Sequence, residues 1–124
     1  MDAWVDGRNT PRSAHASLTP LRLEVRAAAR ADLTDHYVWL ASEASLDVAE
    51  AMAANADVAL FRLLDHPGVG SPVKTKQAEL AALRKWKIPG FPQLLIFYLV
   101  EGETLSVVRI LHGAQDWMRY LEAD

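Results

Sequence analysis

The sequence predicts an α/β (α+β) sandwich, a mainly antiparallel sheet covered on one face by a two-helix hairpin, in the order β-α-α-β-β-β-(α). Three observations predict it. Residues 94–100, Leu-Leu-Ile-Phe-Tyr-Leu-Val, form an unbroken apolar run. It is short for a helix, and its β-branched and aromatic content suits a strand buried on both faces. Upstream, two consecutive stretches repeat apolar residues at helical spacing with only a short break between them, as an antiparallel hairpin requires. Downstream, the apolar stretches are joined by short turns, which connect antiparallel neighbours.

Each element has its own local reason. Residues 1–19 are polar and Pro-containing without a sustained period, and read as a disordered tail ahead of one domain over residues 20–124. Leu21, Leu23 and Val25 alternate with Arg22, Glu24 and Arg26, the pattern of a half-buried strand. Leu33, Tyr37, Leu40, Ala41 and Ala44 then form a helical stripe, with Asp35, Ser42 and Glu43 on the other side. Ser45 is placed to cap a second helix, with Asp47 in its first turn to favour the helix dipole. Ala49, Ala53, Ala56, Leu60 and Leu63 form its stripe, broadened by Met52 and Leu64, and His66-Pro67-Gly68 ends it.

Pro67, Gly68, Gly70 and Pro72 mark a surface loop. A strand is expected from about Leu80 to Ile88, a turn at Pro89, Gly90 and Pro92, and the buried strand at 94–100. Glu101-Gly102-Glu103 makes a tight hairpin connection into a strand from Thr104 to Leu111. A short helix over Asp116 to Leu121 closes the chain. The sheet face away from the two helices is expected to be the more open one and to carry the basic residues.

Composition narrows the function classes. The 124 residues are 51% hydrophobic and 23% charged, ordinary for one globular domain. Cysteine is absent, which excludes disulfides and thiolate chemistry. No apolar run approaches the roughly 20 residues that span a bilayer, and the first residues lack a signal peptide's apolar core, so a cytoplasmic protein is expected. A net charge of −3 argues against a general nucleic-acid binder. Yet residues 74–87 hold five bases and one acid, a local basic strip. His15 and His36 have no second ligand at metal-like spacing, so neither a metal nor a cofactor is expected.

The stretch Lys87-Ile88-Pro89-Gly90-Phe91-Pro92-Gln93-Leu94-Leu95-Ile96-Phe97-Tyr98 resembles the central hairpin of the ParE/RelE family of toxins. So does Val107-Val108-Arg109-Ile110-Leu111-His112-Gly113-Ala114-Gln115-Asp116, with the acidic-glycine turn between them. Ala31-Asp32-Leu33 with Tyr37, and the loop His66-Pro67-Gly68-Val69-Gly70, are similar too. The resemblance spans roughly residues 20–121. It implies the toxin of a type II toxin–antitoxin pair of the plasmid-stabilisation kind, with a cognate antitoxin as partner. It implies one of two actions, inhibition of DNA gyrase by binding or ribosome-dependent cleavage of messenger RNA.

Metal-independent RNA cleavage needs a group to activate the 2′-OH, charge stabilisation at the phosphorus, and a proton for the leaving oxygen. By the resemblance, the candidates are Arg84, Lys87, Arg109 and His112, with Lys85 beside them. On an ideal strand Arg109 and His112 point to opposite faces. Gln93-Leu94-Leu95 stands where RNA-cutting members carry an arginine, and Gly113-Ala114-Gln115 where they carry bases. These departures favour the gyrase-binding reading, with the messenger RNA endonuclease as the alternative and a non-toxic binding module as a third. Arg109, in an apolar strand, requires a partner, and Asp116 is one candidate. His112 also suits a structural role at a strand end, and Trp86 a place in the core. Leu21, Leu23 and Trp117 are candidate partner-binding residues.

Overall fold

The computed structural model describes residues 20–114 and 116–122. The tail expected over residues 1–19 lies outside the described residues. The elements are β1 (Arg22–Val25), α1 (Ala27–Glu43), α2 (Leu46–Asp65), β2 (Ser71–Pro72), β3 (Arg84–Ile88), β4 (Phe91–Glu101), β5 (Thr104–His112) and α3 (Trp117–Glu122). Single 3-10 turns occupy Pro67–Val69 and Ala78–Leu80. The strands form one sheet in the order β1-β5-β4-β3-β2. Three pairings are antiparallel and one, β1 with β5, is parallel. The apolar run at 94–100 therefore lies in the central strand, as expected, and the two helices cover one face.

The local signals act as the sequence suggests. Ser45 caps α2, its hydroxyl accepting the Val48 N–H at 3.1 Å, and Asp47 lies in the first turn. The inward face of α2 buries Ala49, Met52, Ala56, Ala59, Leu60 and Leu63 against Ile96, Tyr98, Leu105, Val107 and Ile110 of the sheet. The alanines let the helix lie close to the strands. Pro89-Gly90 and Gly102-Glu103 make two-residue hairpin turns, and their glycines take φ of 82° and 61°, the left-handed region that favours glycine.

Three expectations change. The strand predicted from Leu80 begins only at Arg84, because Ala78–Leu80 forms a turn. That turn lets Leu80 and Leu83 both point at the sheet. The loop at 67–72 contains a two-residue edge strand, β2, which pairs with Arg84 and Lys85. The face away from the helix hairpin is not open. Val73, Leu80, Leu83, Phe97, Leu99, Val108, Leu111 and Leu121 form a second core there, covered by the 73–83 segment and α3. The central strand feeds both cores by alternation, Ile96 and Tyr98 to one side and Phe97 and Leu99 to the other.

Candidate functional site

The candidate residues sit on β3 and β5, and register decides which of them meet. Arg84 lies opposite Tyr98, while Lys85 lies opposite Phe97 and Lys87 opposite Leu95. Tyr98 faces the helices and Phe97 the second core, so Arg84 is on one face and both lysines are on the other. In β5 the partner of Phe97 is Arg109 and that of Tyr98 is Val107, which leaves Val108 as an extra residue, a β-bulge. The bulge precedes Arg109, so it does not change the parity between Arg109 and His112. Arg109 turns to the α3 side, its guanidinium carbon 5.5 Å from the Tyr120 ring centre, whereas His112 turns to the α1 side. The four candidates Arg84, Lys87, Arg109 and His112 do not gather into one cluster.

Most of them are also engaged. Arg84 Nη1 donates to the carbonyls of Gly70 at 2.6 Å and Gly68 at 3.3 Å, tying β3 to the loop. Beside it the Tyr98 hydroxyl donates to Pro67 O at 2.7 Å and accepts the Gly70 N–H at 2.9 Å. Burial pushes the Tyr98 phenol above its ordinary range. His112 Nδ1 accepts the Ala114 N–H at 3.0 Å, the bond of a strand-ending residue to nearby backbone. Lys85 Nζ lies 5.6 Å from the Trp117 ring centre. Lys87 is exposed.

Arg109 has the strongest bonds, and its partner is Asp32 rather than the suggested Asp116. Nε and Nη2 each donate to a different carboxylate oxygen of Asp32 at 2.7 Å, a bidentate pair. That hydrogen bonding raises the Arg109 guanidinium further above its ordinary value. The reason for the pair lies in the sheet edge. β1 pairs with β5 only as far as Val107 before the chain turns into α1, so β5 runs on with its outer edge unpaired by β1. Residues one helical turn apart on α1 take over. Asp32 accepts the Ile110 N–H at 2.9 Å, and His36 Nε2–H donates to Ile110 O at 2.8 Å. Sequence reasoning missed both; their i, i+4 spacing was the available signal.

Beyond this capped edge, α1 and the ends of β4 and β5 enclose a groove of about 580 Å³, lined by His36, Trp39, Leu40, Phe91, Leu94 and His112 among others. Trp39 is 62% exposed at its rim. A smaller hollow of about 300 Å³ lies beside Arg84 and Tyr98. Of the candidate partner-binding residues, Leu23 is 40% exposed on the outer strand β1. Leu21 packs on the main core, and Trp117 packs on Phe97 with the rings tilted and their centres 5.3 Å apart. Among the described residues no group of His, Cys, Asp or Glu could hold a metal ion, and no helix is long and apolar enough to cross a membrane.

Solved structures share this fold. A chain of the chromosomal ParDE toxin–antitoxin system from P. aeruginosa superposes with a TM-score of 0.63 at 15% identity, covering 76% of this chain and 97% of that one. A chain of the RelBE2 toxin–antitoxin complex from Mycobacterium tuberculosis gives 0.51 at 20% identity, covering 75% and 98%. The YoeB/ParE toxin from Agrobacterium tumefaciens gives 0.51 at 15% identity, covering 74% and 98%. No protein of curated function matches the sequence. The family described as the ParE toxin of type II toxin–antitoxin system, parDE, matches residues 23–117. With its fold, its hairpin and most of its length accounted for in this way, the chain belongs to the ParE toxin family of type II toxin–antitoxin systems.

Proposed function

We propose that this toxin acts in the cytoplasm by binding and inhibiting DNA gyrase, and that a cognate antitoxin neutralises it. One observation carries the choice of binding over cleavage. Arg84 and Arg109 are held by structural bonds, and Arg84, Lys87, Arg109 and His112 are divided between faces of the sheet. General acid–base catalysis of RNA cleavage requires such groups to converge on one phosphate. Inhibition by binding asks only for a rigid scaffold and an exposed surface.

The antitoxin surface in this reading is the side of the molecule where β1 and α1 meet the sheet edge. Leu23 on the outer strand offers unpaired backbone to an added strand, and the groove beneath Trp39 offers an apolar seat to a side chain. Leu21 and Trp117 contribute from beneath by fixing β1 and α3.

Purified protein titrated into a gyrase supercoiling reaction is expected to inhibit it. Absence of inhibition, with codon-positioned cuts in transcripts after induction, would replace this reading with ribosome-dependent messenger RNA cleavage. Normal growth on induction without antitoxin would remove both.

A further inference from the structure

Helix α2 has a second apolar face that neither the core nor the groove uses. Ala51, Ala54, Val58 and Phe61 recur at i, i+3, i+7 and i+10 on its outward side, and all four are exposed. Val58 is 59% and Phe61 67% exposed. A helix lying on a core ordinarily turns polar residues outward at these positions. The two alanines make a low seat at the N-terminal half, and Val58 and Phe61 stand up beyond it.

The rim of this stripe is acidic. Asp47, Glu50, Asp57 and Asp65 are exposed along the same helix, Glu50 also accepting from the Tyr37 hydroxyl of α1, and the helix holds one base, Arg62. Over residues 27–65 there are seven acids and two bases, and one acid, Asp32, is already paired with Arg109. The charge decides what can cover the stripe. A second copy packed antiparallel by a twofold axis would set like flanks of α2 against each other, acids against acids. Phosphate backbones and anionic membrane surfaces are repelled for the same reason.

We propose that this face of α2 is a docking site for a basic amphipathic helix of a partner protein. Its apolar anchors would be spaced to sit over Ala51 and Ala54 and between Val58 and Phe61, with Lys or Arg flanking them to meet the acidic rim. The chemistry is independent of the toxin's target.

The test uses the full chain and a labelled helical peptide with leucines at i, i+3, i+4 and i+7 spacing and lysines on both flanks. A second peptide carries glutamates in place of the lysines. Fluorescence anisotropy is expected to show binding of the lysine peptide, weakened about tenfold or more by Phe61→Ser or Val58→Ser, as for truncation of an interface anchor. The glutamate peptide is expected to bind at least about tenfold more weakly. Both residues are on the surface, so the variants keep the wild-type circular dichroism and melting. Equal binding of the two peptides overturns the proposal. So does binding untouched by Phe61→Ser but lost in Trp39→Ser, which would place the peptide in the groove. A wild-type dimer that Phe61→Ser dissociates in sedimentation would make a second copy the occupant and overturn it equally.

Discussion

Replacing Asp32 with alanine tests the reasoning about the capped sheet edge. The change removes both carboxylate oxygens from Arg109 and the acceptor of the Ile110 N–H. Breaking a fully buried ion pair from one side costs about 3–5 kcal/mol. Here the side chains are 21% and 11% exposed, for Arg109 and Asp32 respectively, so water relieves part of that cost, leaving about 2–3 kcal/mol. The orphaned Ile110 N–H adds about 1–2 kcal/mol. The expected loss is about 3–5 kcal/mol, a large share of the roughly 5–15 kcal/mol available to a domain. Urea unfolding followed by circular dichroism measures it, with an unchanged denaturant slope showing that two-state unfolding is preserved. A loss below about 1 kcal/mol would refute the argument. A double variant, Asp32→Leu with Arg109→Met, removes both charges and is expected to lose less than Asp32→Ala alone. The double variant also bears on function. Toxicity retained in a folded protein without Arg109 would remove that residue from any catalytic role.

Four further expectations follow from single sites. In Gly70→Ala an ideal Cβ would lie 2.5 Å from the Tyr98 hydroxyl and 2.8 Å from Lys85 O, so the loop must shift, at about 2–3 kcal/mol in urea unfolding. Tyr98→Phe loses the bonds to Pro67 and Gly70 and is expected to cost about 1–3 kcal/mol. Because burial raises the Tyr98 phenol above 10.0, the unfolded chain ionises first and wild-type stability falls as pH rises past that value; pH-dependent melting of Tyr98→Phe should lack this component. Ser45→Ala removes the α2 cap, lowering stability by about 1 kcal/mol in the same assay. Trp86→Phe deletes a buried Nε1–H that has no hydrogen-bond partner among the described residues, and thermal melts should show a change within about 1 kcal/mol.

What the sequence revealed was chemistry acting over a few residues. The central strand, the Ser45 cap, the helix stop at His66-Pro67-Gly68 and the two glycine turns each rest on neighbours in the chain. What it concealed depends on residues far apart. The parallel pairing of β1 with β5 joins Arg22–Val25 to Thr104–Val107 and leaves no local trace. The nearest acid downstream of Arg109 is Asp116, but the acid that pairs with it, Asp32, comes from α1, 77 positions upstream. The second core was hidden for a related reason. Leu80 and Leu83 fit a strand by composition, and only the 3-10 turn at Ala78–Leu80 brings both to one side. The site candidates shared this fate. Residue type nominates Arg84, Lys87, Arg109 and His112, but strand parity divides them between faces.

The net charge of −3 conceals a separation of charge that the fold makes physical. The helix layer, residues 27–65, carries seven acids to two bases, while residues 74–87, five bases to one acid, wrap from the second core into β3. Such a molecule presents surfaces of opposite sign to its surroundings, and each selects a different partner through long-range attraction before any contact forms. A toxin that is to meet both a target and a neutralising protein gains from that arrangement, because binding on one side need not exclude recognition on the other. The structural use of Arg84 and Arg109 sharpens the separation. Their charges are spent on loop carbonyls and on Asp32, so the exposed Lys87 and the 74–76 segment define the basic surface, and Asp47, Glu50, Asp57 and Asp65 the acidic one. Reversing Lys87 should therefore alter association on the β3 side while leaving a ligand of α2 unaffected, and reversing Asp57 should do the opposite.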